Sequence, residues 1–185
     1  MLPVQLIPES ELTGDQIAAI VTLTNSVWPK EGLSLQQRID ELQSAVGSGE
    51  REPLNPIRFV VWDGKMAVAH AQVFDRTIQT VDGQSVNILA LASVCSDANF
   101  RGQGLGAAVV KAAFEQIDQS RPVSLFQTGV PDFYRKFGGR IIDNRFVNRL
   151  AEASDANPWW DKHVMIVPAS FAWPEGTIDL NGSGY

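Results

Sequence analysis

The sequence predicts an α+β fold, and three features of its order predict it. Two amphipathic helix patterns come first. A meander of strand-like runs joined by Asp-Gly turns follows. A strand, a glycine turn, a helix and a second strand then succeed one another. The residues before 101 are hairpin-like, not the regular strand–helix alternation that a doubly wound parallel sheet requires.

Val4–Ile7 is short and apolar enough for a first strand. Thr13-Gly14-Asp15 reads as a helix start, and Ile17, Ile20, Val21, Thr24 and Trp28 continue at helical spacing until Pro29. Leu35, Ile39, Leu42 and Val46 carry a second helix that stops near Gly47-Ser48-Gly49, and segment 49–56 reads as a loop. Ile57–Trp62, Met66–Phe74 with an arm through Thr80, and Ser85–Cys95 are strands separated by Asp63-Gly64 and Asp82-Gly83 turns. A helix over Gly104–Gln119, a strand at Val123–Gln127, a short helix at Pro131–Phe137 and late strands at Arg140–Asn148 and Val164–Val167 complete the order. Trp173, Ile178, Leu180 and Tyr185 make the last stretch too apolar for a free tail. The expectation is one domain over 1–185, with 168–185 packed back on it. Glu175, Asp179 and the terminal carboxylate would place negative charge wherever that segment docks.

The chain has 185 residues, 44% hydrophobic and 19% charged, within the range of soluble globular proteins. A net charge of −6 argues against a nucleic-acid partner and is compatible with a cationic small molecule. No apolar run reaches membrane-spanning length, so no membrane partner is expected. Met1-Leu2-Pro3-Val4-Gln5 lacks the basic start of a signal peptide, and a single cysteine forbids an intrachain disulfide. A cytoplasmic location is therefore the expectation.

The most informative stretch is Arg101-Gly102-Gln103-Gly104-Leu105-Gly106, between a strand and a helix. Glycines allow close backbone approach, and the first amides of a helix have no acceptor inside it, so such a turn is an anion site suited to a phosphate or pyrophosphate. Gly102-x-Gly104 also begins a tolerable dinucleotide fingerprint. The acid that fingerprint needs at the end of the next strand is absent, because that strand ends in Gln127 and Thr128. No Gly-Lys-Ser/Thr is present for a nucleoside triphosphate loop.

Arg101-x-x-Gly104-x-Gly106 resembles the Arg/Gln-x-x-Gly-x-Gly/Ala signature of the GNAT acetyltransferase superfamily. Val94-Cys95-Ser96-Asp97-Ala98-Asn99-Phe100 before it, and Asp132-Phe133-Tyr134-Arg135-Lys136-Phe137-Gly138-Gly139 after it, are similar to flanking family elements, and together with the strands that frame them the match covers roughly residues 57–142. Two positions depart from the pattern: Ala98 replaces a proline and Gly139 an aromatic residue. The resemblance implies a mixed, mainly antiparallel twisted sheet flanked by helices on both faces. It also implies acetyl-CoA as co-substrate, no metal, and a small-molecule amine as acceptor, with a homodimer allowed. In that family a strand bulge exposes amides that hold the pantetheine arm and polarise the thioester, a role that would fall to Val94, Cys95 and Ser96. Arg101, Gly102, Gln103, Gly104, Leu105 and Gly106 would wrap the pyrophosphate. Tyr134 would protonate the departing thiolate. The structural alternatives are a solvated arginine, a plain helix-starting turn and a packed tyrosine.

Outside the motifs, Asp97 is either a base acting through water or a surface aspartate. His70 and His163 read as structural. Cys95 has no histidine or acid at a motif spacing and reads as a small strand residue. Trp28-Pro29 and Trp159-Trp160 either line an acceptor pocket or pack in the core. The Val94-Cys95-Ser96 variant and the Trp28-Pro29 helix end look most like aminoglycoside N-acetyltransferases, which implies a cationic amine. Polyamines, small amino compounds and a protein N-terminus stay open as acceptors, and so does an acetyl-CoA-binding module without catalysis.

Overall fold

The Thr13 hydroxyl receives the Gln16 amide while the Gln16 side chain receives the Thr13 amide, and this reciprocal cap starts helix α1 at Gly14–Val27. Ile17, Ile20, Val21 and Leu23 form its buried stripe. Ser34 and Gln37 exchange the same pair of bonds ahead of α2, Leu35–Ser48, which buries Ile39 and Leu42 against α1. The computed structural model describes residues 2–48, 54–152 and 156–185. Residues 49–53 of the expected 49–56 loop lie outside these.

Among the described residues nine strands follow the chain: β1 Val4–Pro8, β2 Leu54–Asp63, β3 Met66–Thr80, β4 Ser85–Ser96, β5 Ser124–Thr128, β6 Arg140–Ile142, β7 Arg145–Val147, β8 His163–Val167 and β9 Thr177–Asp179. Two further helices are α3, Leu105–Phe114, and α4, Pro131–Arg135. The protein is α+β, with a mostly antiparallel open sheet flanked by helices and a strand order β1-β2-β3-β4-β5-β8-β6. Two residues join β2 to β3, a connection only antiparallel neighbours permit. β4 and β5 are parallel, with Leu89 opposite Ser124 and Ala90 opposite Leu125, as a strand–helix–strand crossover requires. Among the described residues no helix is long and apolar enough to cross a membrane.

The chain divides into two compact units, residues 1–74 with 92–115 and residues 75–91 with 116–185. The core of the first gathers Ile7, Ile17, Ile20, Ile39, Leu42 and Cys95. That of the second gathers Ile78, Ile88, Leu125, Phe146, Ile166 and Ile178.

Besides shifts of one or two residues at element ends, four elements differ from the sequence expectation. β2 begins at Leu54 rather than at Ile57. The helix expected to reach Gln119 stops at Phe114. Beyond it, the Asp118 carboxylate receives the Ser120 and Arg121 amides and the Arg121 guanidinium, and this closed turn replaces helical bonds. The single strand expected over Arg140–Asn148 is two, because Asn144 leaves the ladder. Its amide donates to the Pro174 and Gly176 carbonyls, and its oxygen accepts from the Trp173 indole. β6 therefore pairs with β8, and β7 with β9.

The last difference is β9 itself, antiparallel to β3 and parallel to β7. Ile178 and Leu180 are fully buried. Asp179 is buried as well, and its carboxylate accepts the Arg149 and Asn181 amides, so this charge holds those two stretches of backbone. Ile178→Ala should destabilise the protein by about 2–5 kcal/mol, the usual result of emptying a fully packed aliphatic site. The midpoint of urea unfolding measures this, and a change below about 0.5 kcal/mol would mean that β9 is not part of the cooperative core.

Candidate active site

The glycine turn is built by backbone geometry. Gly102 and Gly104 are left-handed, with φ of 78° and 79°, and Gly104 is the N-cap of α3. Residues with a side chain rarely adopt that conformation. Apart from its chain neighbours, a Cβ placed at Gly102, Gly104 or Gly106 would meet no protein atom within 4 Å, so the backbone at each glycine faces open space. Leu105, Val109, Val110 and Ala113 are buried and fasten α3, which packs against β1 and β2. The helix thus presents its first amides at a fixed place, with the positive end of its dipole behind them. Arg101 is exposed beside them. This donor set fits a pyrophosphate.

Immediately upstream, β4 carries a local distortion. Ser93 has a φ of 52°, a left-handed conformation that costs a serine about 1 kcal/mol or more. The register between β4 and β5 covers Leu89–Ser124 and Ala90–Leu125, while β4 continues to Ser96 and β5 to Thr128. Val94, Cys95 and Ser96 follow the kink. Past them the Asp97 amide donates to the Val68 carbonyl at 2.9 Å, and the Asp97 carboxylate receives the Asn99 amide at 2.8 Å. Asp97 is thus occupied in capping its own turn. Burial pushes the Cys95 thiol up to about 12, so it stays protonated and is no nucleophile.

Tyr134 belongs to the second unit. Pro131 opens α4, and the Val130 amide ahead of it donates to the Thr128 hydroxyl. The Tyr134 ring lies 4.5 Å from Phe126 and 4.9 Å from Phe133, centroid to centroid. Burial, and next the Asp161 carboxylate, raise its pKa above that of a free phenol, so the group holds its proton at neutral pH. The departure at Gly139 has a steric cause. A Cβ there would lie 3.0 Å from the Tyr134 carbonyl oxygen and 3.2 Å from Val167, leaving no room for an aromatic side chain.

The other candidates separate. Trp159 is buried against Phe146 and Tyr185, while Trp160 is 72% exposed. Trp28 caps α1 with its side chain half exposed. His163 opens β8, opposite Thr128. The sequence reading missed two assemblies. In the first, Gln127 accepts the Trp160 and Asp161 amides and donates to the Tyr185 carbonyl, and the Tyr185 hydroxyl donates to the Leu125 carbonyl. In the second, Glu9, Arg58, His70 and Gln72 form a buried polar cluster. The signal for the cluster was an arginine, a histidine and a glutamine inside otherwise apolar strand runs. Among the described residues no group of His, Cys, Asp and Glu converges as a metal site.

Solved structures share this fold. An acyl-CoA N-acyltransferase from Pseudomonas aeruginosa is 15% identical with a TM-score of 0.60, covering 90% of this chain and 98% of its own. A glucosamine-6-phosphate N-acetyltransferase from Arabidopsis thaliana is 14% identical with a TM-score of 0.52, covering 72% of this chain and 89% of its own. A GCN5-related N-acetyltransferase from Kribbella flavida is 19% identical with a TM-score of 0.56, covering 76% of this chain. The chain spans about a third of the length of that protein, at 33%, and of a probable N-acyltransferase from Enterococcus faecalis, at 32%. No curated protein matches the sequence. Residues 10–142, which hold the glycine turn, the kinked strand and Tyr134, match the acetyltransferase (GNAT) domain, and the chain belongs to that family.

Proposed function

We propose that the protein transfers the acetyl group of acetyl-CoA to a primary amine of a small, cationic acceptor by direct attack in a ternary complex. Residues 1–185 would act as one acetyltransferase domain, with 168–185 packed back on it. The observation that carries this reading is the open, left-handed glycine turn at the start of α3, one short 3-10 turn after the kinked end of β4. When bound, acetyl-CoA supplies an acyl group activated as a thioester. Arg101 and the amides from Gly102 to Gly106 would hold its pyrophosphate. The amides of Val94, Cys95 and Ser96 would orient and polarise the thioester carbonyl. Tyr134 would donate its phenolic proton to the departing sulfur as the C–N bond forms and the C–S bond breaks, and would regain a proton from solvent. The proton lost by the amine leaves to water. Holding both reactants in place supplies much of the acceleration, and no covalent enzyme intermediate is needed. The net charge of −6 supports a cationic acceptor, and the lone buried Cys95 agrees with a cytoplasmic setting.

The test is thiol release from acetyl-CoA with a panel of aminoglycosides, polyamines, amino sugars and short peptides, followed by mass spectrometry of the products. Release with a cationic small amine and an acetylated product is the expected result. Release with peptides alone would mean acetylation of a protein N-terminus. Binding of acetyl-CoA without release to any amine would mean a non-catalytic module.

A further inference from the structure

One row of buried polar side chains crosses the first unit beneath the kinked strand. Glu9, just after β1, accepts from the Arg58 Nε at 2.7 Å and also from Arg58 Nη2. Gln72 Nε2 reaches the same Glu9 oxygen at 3.4 Å. Arg58 Nη1 lies 3.3 Å from His70 Nε2, and His70 Nδ1 lies 2.8 Å from the Ser93 carbonyl oxygen. Glu9 and Arg58 are buried, and His70 is fully so.

The chemistry of these groups sets the proton positions. A guanidinium has donors only, so His70 Nε2 must accept. The remaining proton is then on Nδ1, and it is donated to the Ser93 carbonyl. The imidazole is neutral, in keeping with burial and the facing Arg58 charge, which lower its pKa to about 3. A buried ion pair and a buried imidazole are poor sources of stability compared with apolar side chains of the same volume. What they provide is a single geometry. The recipient is Ser93, the left-handed residue of β4. Four residues on, the Asp97 amide is tied to the Val68 carbonyl. Val94, Cys95 and Ser96 are therefore bracketed by two anchors on β3, the His70 side chain and the Val68 backbone.

We propose that His70 is a positioning residue for acyl transfer: through the Ser93 carbonyl it fixes the kink that aims the amides of Val94, Cys95 and Ser96. The role in transfer rests on the function proposed above; the role in holding the kink does not. His70→Asn keeps a donor close to the Nδ1 position, His70→Gln moves it toward the Nε2 position, and His70→Leu removes it. Backbone chemical shifts of residues 93–96, read by NMR without ligand, report the kink, and calorimetry reports acetyl-CoA affinity. The expected result is native-like shifts and affinity in His70→Asn. In His70→Gln the shifts should move toward extended values and the dissociation constant should rise about tenfold, the effect of losing one buried hydrogen bond. His70→Leu should behave as His70→Gln or worse. If His70→Leu does not fold, the comparison of Asn with Gln decides, since both are polar. Unchanged shifts in His70→Gln, or a Gln variant as good as the Asn variant, would overturn the proposal. If the wild type fails to bind acetyl-CoA, the assigned function falls, and with it the role in transfer, while the NMR comparison still decides whether His70 holds the kink.

Discussion

Gly104→Asp is expected to weaken acetyl-CoA binding by at least about 100-fold while leaving the fold intact. Gly104 is the left-handed N-cap of α3, and beyond its chain neighbours no protein atom lies within 4 Å of where a Cβ would stand. A side chain there would meet no core group. It would project into the space assigned to the pyrophosphate and bring a carboxylate against it. Two like charges about 4 Å apart at a protein surface repel by about 4 kcal/mol, more than a 100-fold loss requires. Gly104→Ala separates charge from strain, because it keeps the backbone penalty of about 1 kcal/mol and adds no charge. It should cost about tenfold or less. Calorimetry of both variants, with circular dichroism as the check on folding, reads the difference. Wild-type affinity in Gly104→Asp would place the phosphates elsewhere.

Tyr134→Phe is expected to lower turnover by about 10²–10⁴-fold, the usual worth of a general acid, with acetyl-CoA affinity nearly unchanged. The substitution removes one oxygen and retains the ring contacts with Phe126 and Phe133. Packing is therefore preserved and the effect isolates the proton. Steady-state kinetics with a saturating amine measures it. An unchanged turnover would return Tyr134 to a packing role.

The ligand-facing stretch was legible because its chemistry is local. A pyrophosphate cradle needs contiguous residues: glycines where φ must be positive and a helix start directly after them. Arg101 to Gly106 satisfy that within six letters, and the cap at Thr13 and the Asp-Gly turns are local in the same way. The kink at Ser93 was not legible, because a serine carries no preference for a left-handed conformation. The side chain that bonds its carbonyl, His70, lies 23 residues away. The Glu9–Arg58–His70 row was hidden for the same reason, since its members come from three separate parts of the chain.

By itself the sequence determined the α+β order, the family, the helix start at Thr13 and the glycine turn, all encoded by neighbours within a few positions. Only the tertiary structure decided the rest. It made Thr177–Asp179 a strand, because β3 and β7 offer it unpaired edges and a core for Ile178. It divided Trp159 from Trp160, burying one and exposing the other. It turned Asp179 inward to hold backbone amides and gave His70 one tautomer. Each of these depends on partners distant in sequence, and burial and hydrogen-bond satisfaction are properties of the assembled chain, not of any segment in it.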